Sequence, residues 1–549
     1  MILDKYTVCN LISRSIERFP DNPALSYVDE EKTISYSALG IKVSNLAGKL
    51  SSMNISKGDK IAVIGESSPN WGVSFLSVLC TGAVAVPVLP DFHVNEIMNI
   101  IEHSDAKMAF VSDKQYSRLE KHLLEKDDFP IINIDKLSVS DSKYETEISR
   151  SLCFPCLDSL VSEDDLATII YTSGTTGTSK GVMLTHKNIA WMVNQTLTIQ
   201  DVNEDDRFLS ILPMAHTYEN SLGFLLALHK GASIYFLKKQ PTPTILLGAL
   251  DKVKPTMLLT VPLIIEKIFR KQVLPKFQKS FITRNLFEFS PTRKVLNYLA
   301  GKKLKKVFGG NLRFFGIGGA KLDPEIEKYL REARFPYAIG YGLTETSPLL
   351  AGCNPAKTKL ESTGKALQGV SLRLDNVNPL TGEGEIVAQG PNVMKGYYKN
   401  PDATRATFTD DGWFRTGDLG FIDKNGYVYI KGRIKNVILG TNGENIYPEE
   451  IESILNSIEG VEESLVVNKH GKIVAMVNLN IQELENRMVR LNEKIMEVRH
   501  ETVDELLSEI QKFVNSRVNR FSKVQLVILH AEPFERTPTK KIKRYLYAT

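Results

Sequence analysis

Little cysteine, little net charge and the absence of an uninterrupted apolar span each remove a class of function from this chain. Only five cysteines occur in 549 residues: Cys9, Cys80, Cys153, Cys156 and Cys353. So sparse and odd a set does not build a disulfide framework, and a reducing compartment is expected. Cys153-Phe-Pro-Cys156 has CxxC spacing, but no second ligand pair accompanies it and it does not open a helix after a strand. It is read as two small apolar side chains. The formal net charge of +4 is too small to argue for nucleic acid, and no nucleic-acid-binding module is recognisable. The opening MILDKYTVCNLISRSIERFP carries charges throughout and has no apolar core before a cleavage site, so no secretory signal is expected in it. Residues 67–90 are uncharged over a membrane-spanning length. Pro69, Asn70, Gly82 and Pro87 interrupt them, however, and they read as a buried helix from about Asn70 to Cys80, a glycine turn and a buried strand AVAVPVL.

The composition, 42% hydrophobic and 24% charged without low-complexity tract or repeat, is that of an ordinary globular chain long enough for several structural units. Over most of it, apolar strand-like runs (KIAVIGE, AVAVPVL, KMAFVSD, LATIIYT) alternate with helix-like segments. Such continuous runs suit strands covered on both faces, so the fold class expected is α/β, with large mixed or parallel sheets flanked by helices. From Gly382 the glycine turns become frequent and the strands short (GEIVAQG, GYYKNPD, DGWF, GDLGFID, NGYVYIKGR), which predicts an antiparallel β subdomain. Beyond Gly432-Arg433-Ile434-Lys435 a smaller α+β pattern follows. Within it Leu484, Met488, Leu491, Ile495 and Val498 form a heptad stripe on a long charged helix, too short for a coiled coil and expected to dock on its own domain.

The most informative tract is Tyr171-Thr-Ser-Gly-Thr-Thr-Gly-Thr-Ser-Lys-Gly181. Gly174, Gly177 and Gly181 permit positive φ, so several backbone N–H groups can converge on an anion. Hydroxyls at Thr172, Ser173, Thr175, Thr176, Thr178 and Ser179 add donors, and Lys180 adds charge. All of this suits a polyphosphate. The spacing is not that of a Walker loop, because Ser179 stands where the second glycine belongs and Gly181 replaces the hydroxyl after the lysine. Gly316-Ile-Gly318-Gly319 lacks the third glycine of a dinucleotide fingerprint.

That loop resembles the phosphate-loop signature of the adenylate-forming (AMP-binding) superfamily, and further motifs follow in the family order. GIGGAKL (316–322) is similar to the adenine-site strand and turn, with Gly318, Gly319 and Ala320 as nucleotide contacts. GYGLTET (340–346) resembles the motif in which Tyr341 would stack on adenine beside Gly342, Thr344 would sit by the phosphates and Glu345 would meet magnesium. The resemblance implies Thr172 as a second magnesium contact and Ser173, Gly174, Thr175, Thr176, Gly177 and Lys180 as the phosphate cradle. TGD would place Asp418 at the ribose hydroxyls, and GRIK would place Arg433 near the same sugar and Lys435 at an interdomain hinge. TPTKKIKR (537–544) resembles the motif of the catalytic lysine, and register against Ile542 and Arg544 favours Lys541 over Lys540. The family usually has glycine where Lys540 stands.

The domains implied are 1–432, with the antiparallel subdomain at about 365–432, and a mobile α+β C-terminal domain, 433–549, bearing the lysine. ATP, magnesium and coenzyme A are the implied cofactors and co-substrates. LPMAHTYENSLGF (212–224) corresponds to the motif lining the acyl site. It carries His216 where amino-acid-activating members offer an aspartate, and with Gly340 it resembles the long-chain acyl-CoA synthetase version. A fatty acid–CoA ligase acting through an acyl-adenylate is therefore expected. The alternatives are transfer to a carrier-protein thiol, or a catalytically silent relative that binds nucleotide or acyl chains. Residues 271–306 hold ten Lys/Arg, one acidic residue and four phenylalanines. The run is either a solvated face or a contact with anionic membrane. A cytoplasmic location is expected, with peripheral contact at the inner membrane face as the second alternative.

Overall fold

The computed structural model describes residues 3–124, 128–139, 160–172, 179–270, 290–439, 445–458, 460–480, 503–537 and 542–548. Several sequence readings lie outside them: Cys153 and Cys156, the loop residues Ser173, Gly174, Thr175, Thr176 and Gly177, the heptad stripe, residues 271–289 of the basic run, and Lys540 with Lys541. The apolar runs become two large sheets, and the fold is α/β as expected. In the first, Leu166–Thr172, Val84–Val88, Lys60–Ile64, Ala106–Val111 and Ile131–Asn133 run parallel in that order across the sheet. Antiparallel strands Lys180–Thr185 and Gly396–Tyr397 extend one edge. The second orders Tyr337–Ile339, Phe314–Ile317, Met257–Thr260, Arg207–Ser210, Ser233–Phe236 and Pro23–Tyr27 in parallel, with Thr33–Ser35 antiparallel at the end.

Between the sheets lies helix Pro69–Cys80, the segment whose uncharged length could suggest a membrane span. It starts where Ser68 accepts the Trp71 N–H and Pro69 presets the first turn. All its residues except Asn70 are buried, and it touches strands of both sheets. Trp71 and Phe75 stack at 5.3 Å. A helix apolar all round belongs in a core, and among the described residues no helix is long and apolar enough to cross a membrane.

A four-stranded antiparallel sheet, Ser371–Asp375, Gly384–Gln389, Phe414–Ile422 and Val428–Arg433, adjoins these layers. GYYKNP is not part of it: Gly396–Tyr397 crosses to the first large sheet instead. Farther along, Val461–Lys469, Lys472–Leu479 and Leu526–Leu529 form a separate sheet. It has its own apolar cluster of Ile451, Leu455, Val466, Val477, Val514 and Val527.

On the outer side of the second sheet, helix Ser290–Val307 packs against helix Pro324–Glu332 through Gly301. A Cβ at Gly301 would lie 2.2 Å from the Ala333 carbonyl oxygen. Alanine would gain about 1 kcal/mol of helix propensity, but overpacking against backbone typically costs about 1–3 kcal/mol. Gly301→Ala is therefore expected to lower the chemical denaturation midpoint; an unchanged or higher midpoint would show that the helices are not seated this closely.

Candidate functional site

The parallel strands of both sheets end at one cleft of about 3760 Å³. Its walls are the segments that leave the strand carboxyl ends: Glu66–Asn70, Ser112–Lys114, Ile211–Pro213, Val261–Leu263, Gly318–Lys321 and Gly340–Leu343. Open α/β sheets bind ligands at that end. Every candidate residue that the structure describes lines this cleft: Thr172, Lys180, His216, Gly318, Gly319, Ala320, Gly340, Tyr341, Gly342, Thr344, Glu345, Asp418, Arg433 and Lys435.

Two groups of polar contacts organise the cleft. In the first, Asp418 and Arg433 face each other on antiparallel strands, and the guanidinium Nε lies 2.7 Å from the Asp418 carboxylate. Tyr341 donates its hydroxyl to the other Asp418 oxygen at 2.7 Å. Burial first, and Asp418 second, push the Tyr341 phenol well above its ordinary range, so it remains a donor. Gly342 is required where it stands, because a Cβ there would meet the Pro348 carbonyl oxygen at 1.8 Å.

In the second group, Thr172 and Lys180 are paired across the mouth of the glycine loop. The Lys180 ammonium sits 4.8 Å over the Tyr397 ring, a cation–π contact. Tyr397 in turn donates its hydroxyl to Glu345 Oε1 at 2.9 Å. Tyr397 thus joins the loop cation to the carboxylate. Sequence reasoning missed it, because its partners lie far away along the chain and no local spacing marks them.

The segments flanking Lys541 are described although the lysine is not. Arg536 and Ile542 form an antiparallel bridge, Lys543 N–H donates to Glu535 O at 2.8 Å, and Arg536 pairs with Glu463 at 2.7 Å. Arg544 binds Glu452, whose other oxygen accepts the Val466 N–H at 2.7 Å. Arg536, Thr537, Ile542 and Arg544 all line the same cleft. Helix Pro448–Leu455, which carries Glu452, reaches the rest of the wall as well: Lys431 and Lys321 approach its Glu450 at 3.2 and 3.6 Å.

Beside His216 the wall changes character. The imidazole Nδ1 accepts the Tyr218 N–H at 3.3 Å. Behind Tyr218 and Gly340, which border both spaces, lies a second cavity of about 60 Å³. Leu222, Leu226, Met257, Leu259 and Phe314 are among its lining residues, and no charged side chain is among them. Cys353 also borders it, and burial pushes that thiol up to about 11, so it stays neutral.

A family model described as an AMP-binding enzyme matches residues 12–398. The chain belongs to that family. The match ends before Asp418, Arg433, Lys435 and Lys541, so the cleft is built partly outside it. Long chain acyl-CoA synthetase 1 of Arabidopsis thaliana is 28% identical, over 96% of this chain and 88% of that protein. A chloroplastic long-chain-fatty-acid–[acyl-carrier-protein] ligase of the same plant is 26% identical, over 96% and 83%. ATP-bound MatB from Rhodopseudomonas palustris superimposes with a TM-score of 0.75 at 25% identity, covering 98% of each chain. This AMP-binding enzyme is thus an adenylate-forming ligase near the long-chain fatty acid–CoA ligases.

Glu219 is the other residue that the sequence left unremarked. It is 3% exposed at the start of an irregular helical turn, Glu219–Leu225. It packs so tightly on Gly223 that a Cβ there would lie 2.7 Å from its carboxyl. Burial pushes that carboxyl up to about 8. The folded chain therefore holds a proton that the unfolded chain releases near 4.5, and stability falls as pH rises from about 4.5 to about 8. Glu219→Gln is expected to remove this part of the slope, measured as denaturation midpoints at either end of the window. Identical slopes in the two proteins would mean that Glu219 is already ionised.

Proposed function

We propose that this enzyme is an AMP-forming fatty acid–CoA ligase that activates its acid with ATP and passes the acyl group to the thiol of coenzyme A. The observation that supports the reading is the uncharged apolar cavity behind Tyr218 and Gly340, which adjoins the cleft lined by His216, Lys180, Glu345, Asp418 and Arg433. Its apolar lining suits the start of an acyl chain whose carboxylate stays among the charged groups; at about 60 Å³ the lining must part to take a longer one.

A carboxylate cannot acylate a thiol directly, because its oxygen leaves poorly. Attack on the α-phosphate of ATP converts that oxygen into part of AMP, a good leaving group. Both reactants are anions, so the first task is electrostatic. Lys180, the loop N–H groups at 173–178 and Lys541 supply positive charge and donors. Tyr341 and Gly342 take the adenine with Gly318, Gly319 and Ala320, while Asp418 and Arg433 hold the ribose; all of these position rather than react. Thr344 lies beside the phosphates.

Among the described residues no group of three acidic, histidine or cysteine ligands could cage a metal. That suits magnesium, which is usually carried by one or two carboxylates together with substrate phosphates. Tyr397 engages Oε1 of Glu345; Oε2 would hold the ion, together with the Thr172 hydroxyl on the wall of the same cleft. Bound there, magnesium would offset phosphate charge. Lys435 sits in the short turn Ile434–Asn436 that leads out of the cleft. It would serve as the hinge between residues 1–432 and a C-terminal domain, 433–549, that moves between the two half-reactions.

The acyl-carrier-protein ligase among the relatives favours one other reading, in which the acceptor is a carrier-protein thiol. AMP release from ATP with a ladder of acids, with and without coenzyme A, separates the two. Release that needs both a long-chain acid and coenzyme A is the expected result. Acid-dependent pyrophosphate exchange without thioester would move the acceptor to a carrier protein. Lys541→Ala is expected to slow ATP–pyrophosphate exchange about 10²–10³-fold, the usual loss for one preorganised donor, and an unchanged rate would remove Lys541 from the catalytic set.

A further inference from the structure

Helix Ser290–Val307 turns outward a face that the ligase chemistry does not use. Six basic residues lie along the helix, Arg293, Lys294, Lys302, Lys303, Lys305 and Lys306, and no acidic one. Its inner side is fixed by Asn297, Gly301 and Leu304, all buried, where it meets helices Pro324–Glu332 and Pro243–Val253. At 3.6 residues per turn, the opposite side carries Val295, Leu299, Lys302, Lys303 and Lys306. Val295 is 59% exposed and Leu299 51%. Two aliphatic side chains one turn apart are thus left in water on a helix already seated by its other face.

The neighbouring helix strengthens the charge. Lys328, Arg331 and Arg334 are exposed there and beside it. The Arg334 guanidinium and the Lys302 ammonium both lie over the Tyr298 ring, at 5.3 and 4.7 Å. The acids of the neighbouring helix Pro324–Glu332 are already engaged. Glu332 is held by Arg293 at 3.1 Å and by Asn297 at 2.7 Å. Glu327 is buried and accepts from Tyr337 at 3.1 Å, and Glu325 pairs with Arg517 at 3.6 Å. Among the described residues, these acids therefore do not neutralise the positive field of this face.

We propose that this face docks on an anionic lipid bilayer, with Val295 and Leu299 entering the interfacial layer while the lysines reach headgroup phosphates. Lysine stems can lie along apolar surface while their ammonium groups stay in the polar zone. A helix face that mixes basic and aliphatic residues is the kind that binds in the plane of a membrane interface. A nucleic acid would use the charge but gain nothing from the two aliphatics, so the bilayer is the better match. Helix Pro324–Glu332, which packs on the inner side of this face, carries Glu327 on the wall of the cleft. Docking would bring an amphiphilic acid to within one helix of the site. Val295, Leu299 and the three lysines of this face do not line the cleft.

The test is co-sedimentation of the full chain with vesicles of phosphatidylcholine alone and of phosphatidylcholine mixed with phosphatidylglycerol, at low and high salt. It reads binding and not turnover, so it is independent of which acid or acceptor the enzyme uses. Binding is expected only to the mixed vesicles, and salt should weaken it. Each lysine near an anionic surface multiplies partitioning about five-fold. The triple variant Lys302→Gln, Lys303→Gln, Lys306→Gln should therefore bind about a hundred-fold more weakly. Val295→Ser with Leu299→Ser should lose about ten-fold through its apolar part, and both variants should keep the parent's thermal midpoint. No binding to mixed vesicles would overturn the proposal, as would binding that the lysine variant leaves intact. Loss with the lysine variant but none with the serine variant would also overturn it, because the contact would then be adsorption by charge alone, without entry of Val295 and Leu299 into the interfacial layer.

Discussion

Helix Pro69–Cys80 exposes almost nothing to water, and only a layer on each side of it can achieve that. The two parallel sheets are those layers. Burying Trp71, Phe75, Leu76 and Leu79 contributes on the order of 1.5–3 kcal/mol per large side chain, so the sandwich is strongly preferred over any arrangement that uncovers one face. Once both sheets clasp the same helix, their strand ends are no longer independent. Segments from six different strand carboxyl ends are brought to one cleft, and loops distant in sequence can share a ligand.

Within that cleft the polar groups are held before any ligand arrives. Asp418 receives Tyr341 on one oxygen and Arg433 on the other. Neither partner comes from the strand Phe414–Ile422 that carries Asp418. A carboxylate fixed from two sides keeps its remaining lone pairs aimed, so little ordering is left for binding to do. Glu345 is steadied by a single phenol, which leaves it room to take a cation. The apolar cavity behind Tyr218 lies beside these groups and shares only Tyr218, Ile339, Gly340 and Leu349 with the polar cleft. Charge and hydrocarbon are thus kept apart by a thin wall.

Much of this was legible in the sequence because it is encoded locally. The uncharged stretch interrupted by Pro69 and Gly82 reads as buried helix, turn and strand, since proline and glycine punctuate the chain where the structure does. Glycine-rich and acidic motifs mark strand ends because close approach tolerates no other residue, as Gly342 shows against Pro348. The rest depends on partners far apart in the chain. Nothing in the letters around Tyr397 announces Lys180 or Glu345. The burial of Glu219 is invisible until the turn Glu219–Leu225 is folded against Ser210 and its neighbours. The strand Gly396–Tyr397 reads as one more hairpin segment, yet its ladder partners are Met183 and Val182.

That last pairing has a consequence for how the chain is made. Tyr397 and Val182 are partners in one ladder, so a loop of some two hundred residues must close before the edge of the first sheet is complete, and long-range strand pairing of this kind is slow to form. During vectorial synthesis, strand Lys180–Thr185 can pair with Leu166–Thr172 early, but its other edge waits until Gly396 and Tyr397 have left the ribosome. An unpaired edge is a template for misassembly. The strand that follows the glycine loop is therefore both among the early segments to be made and among the last to be covered.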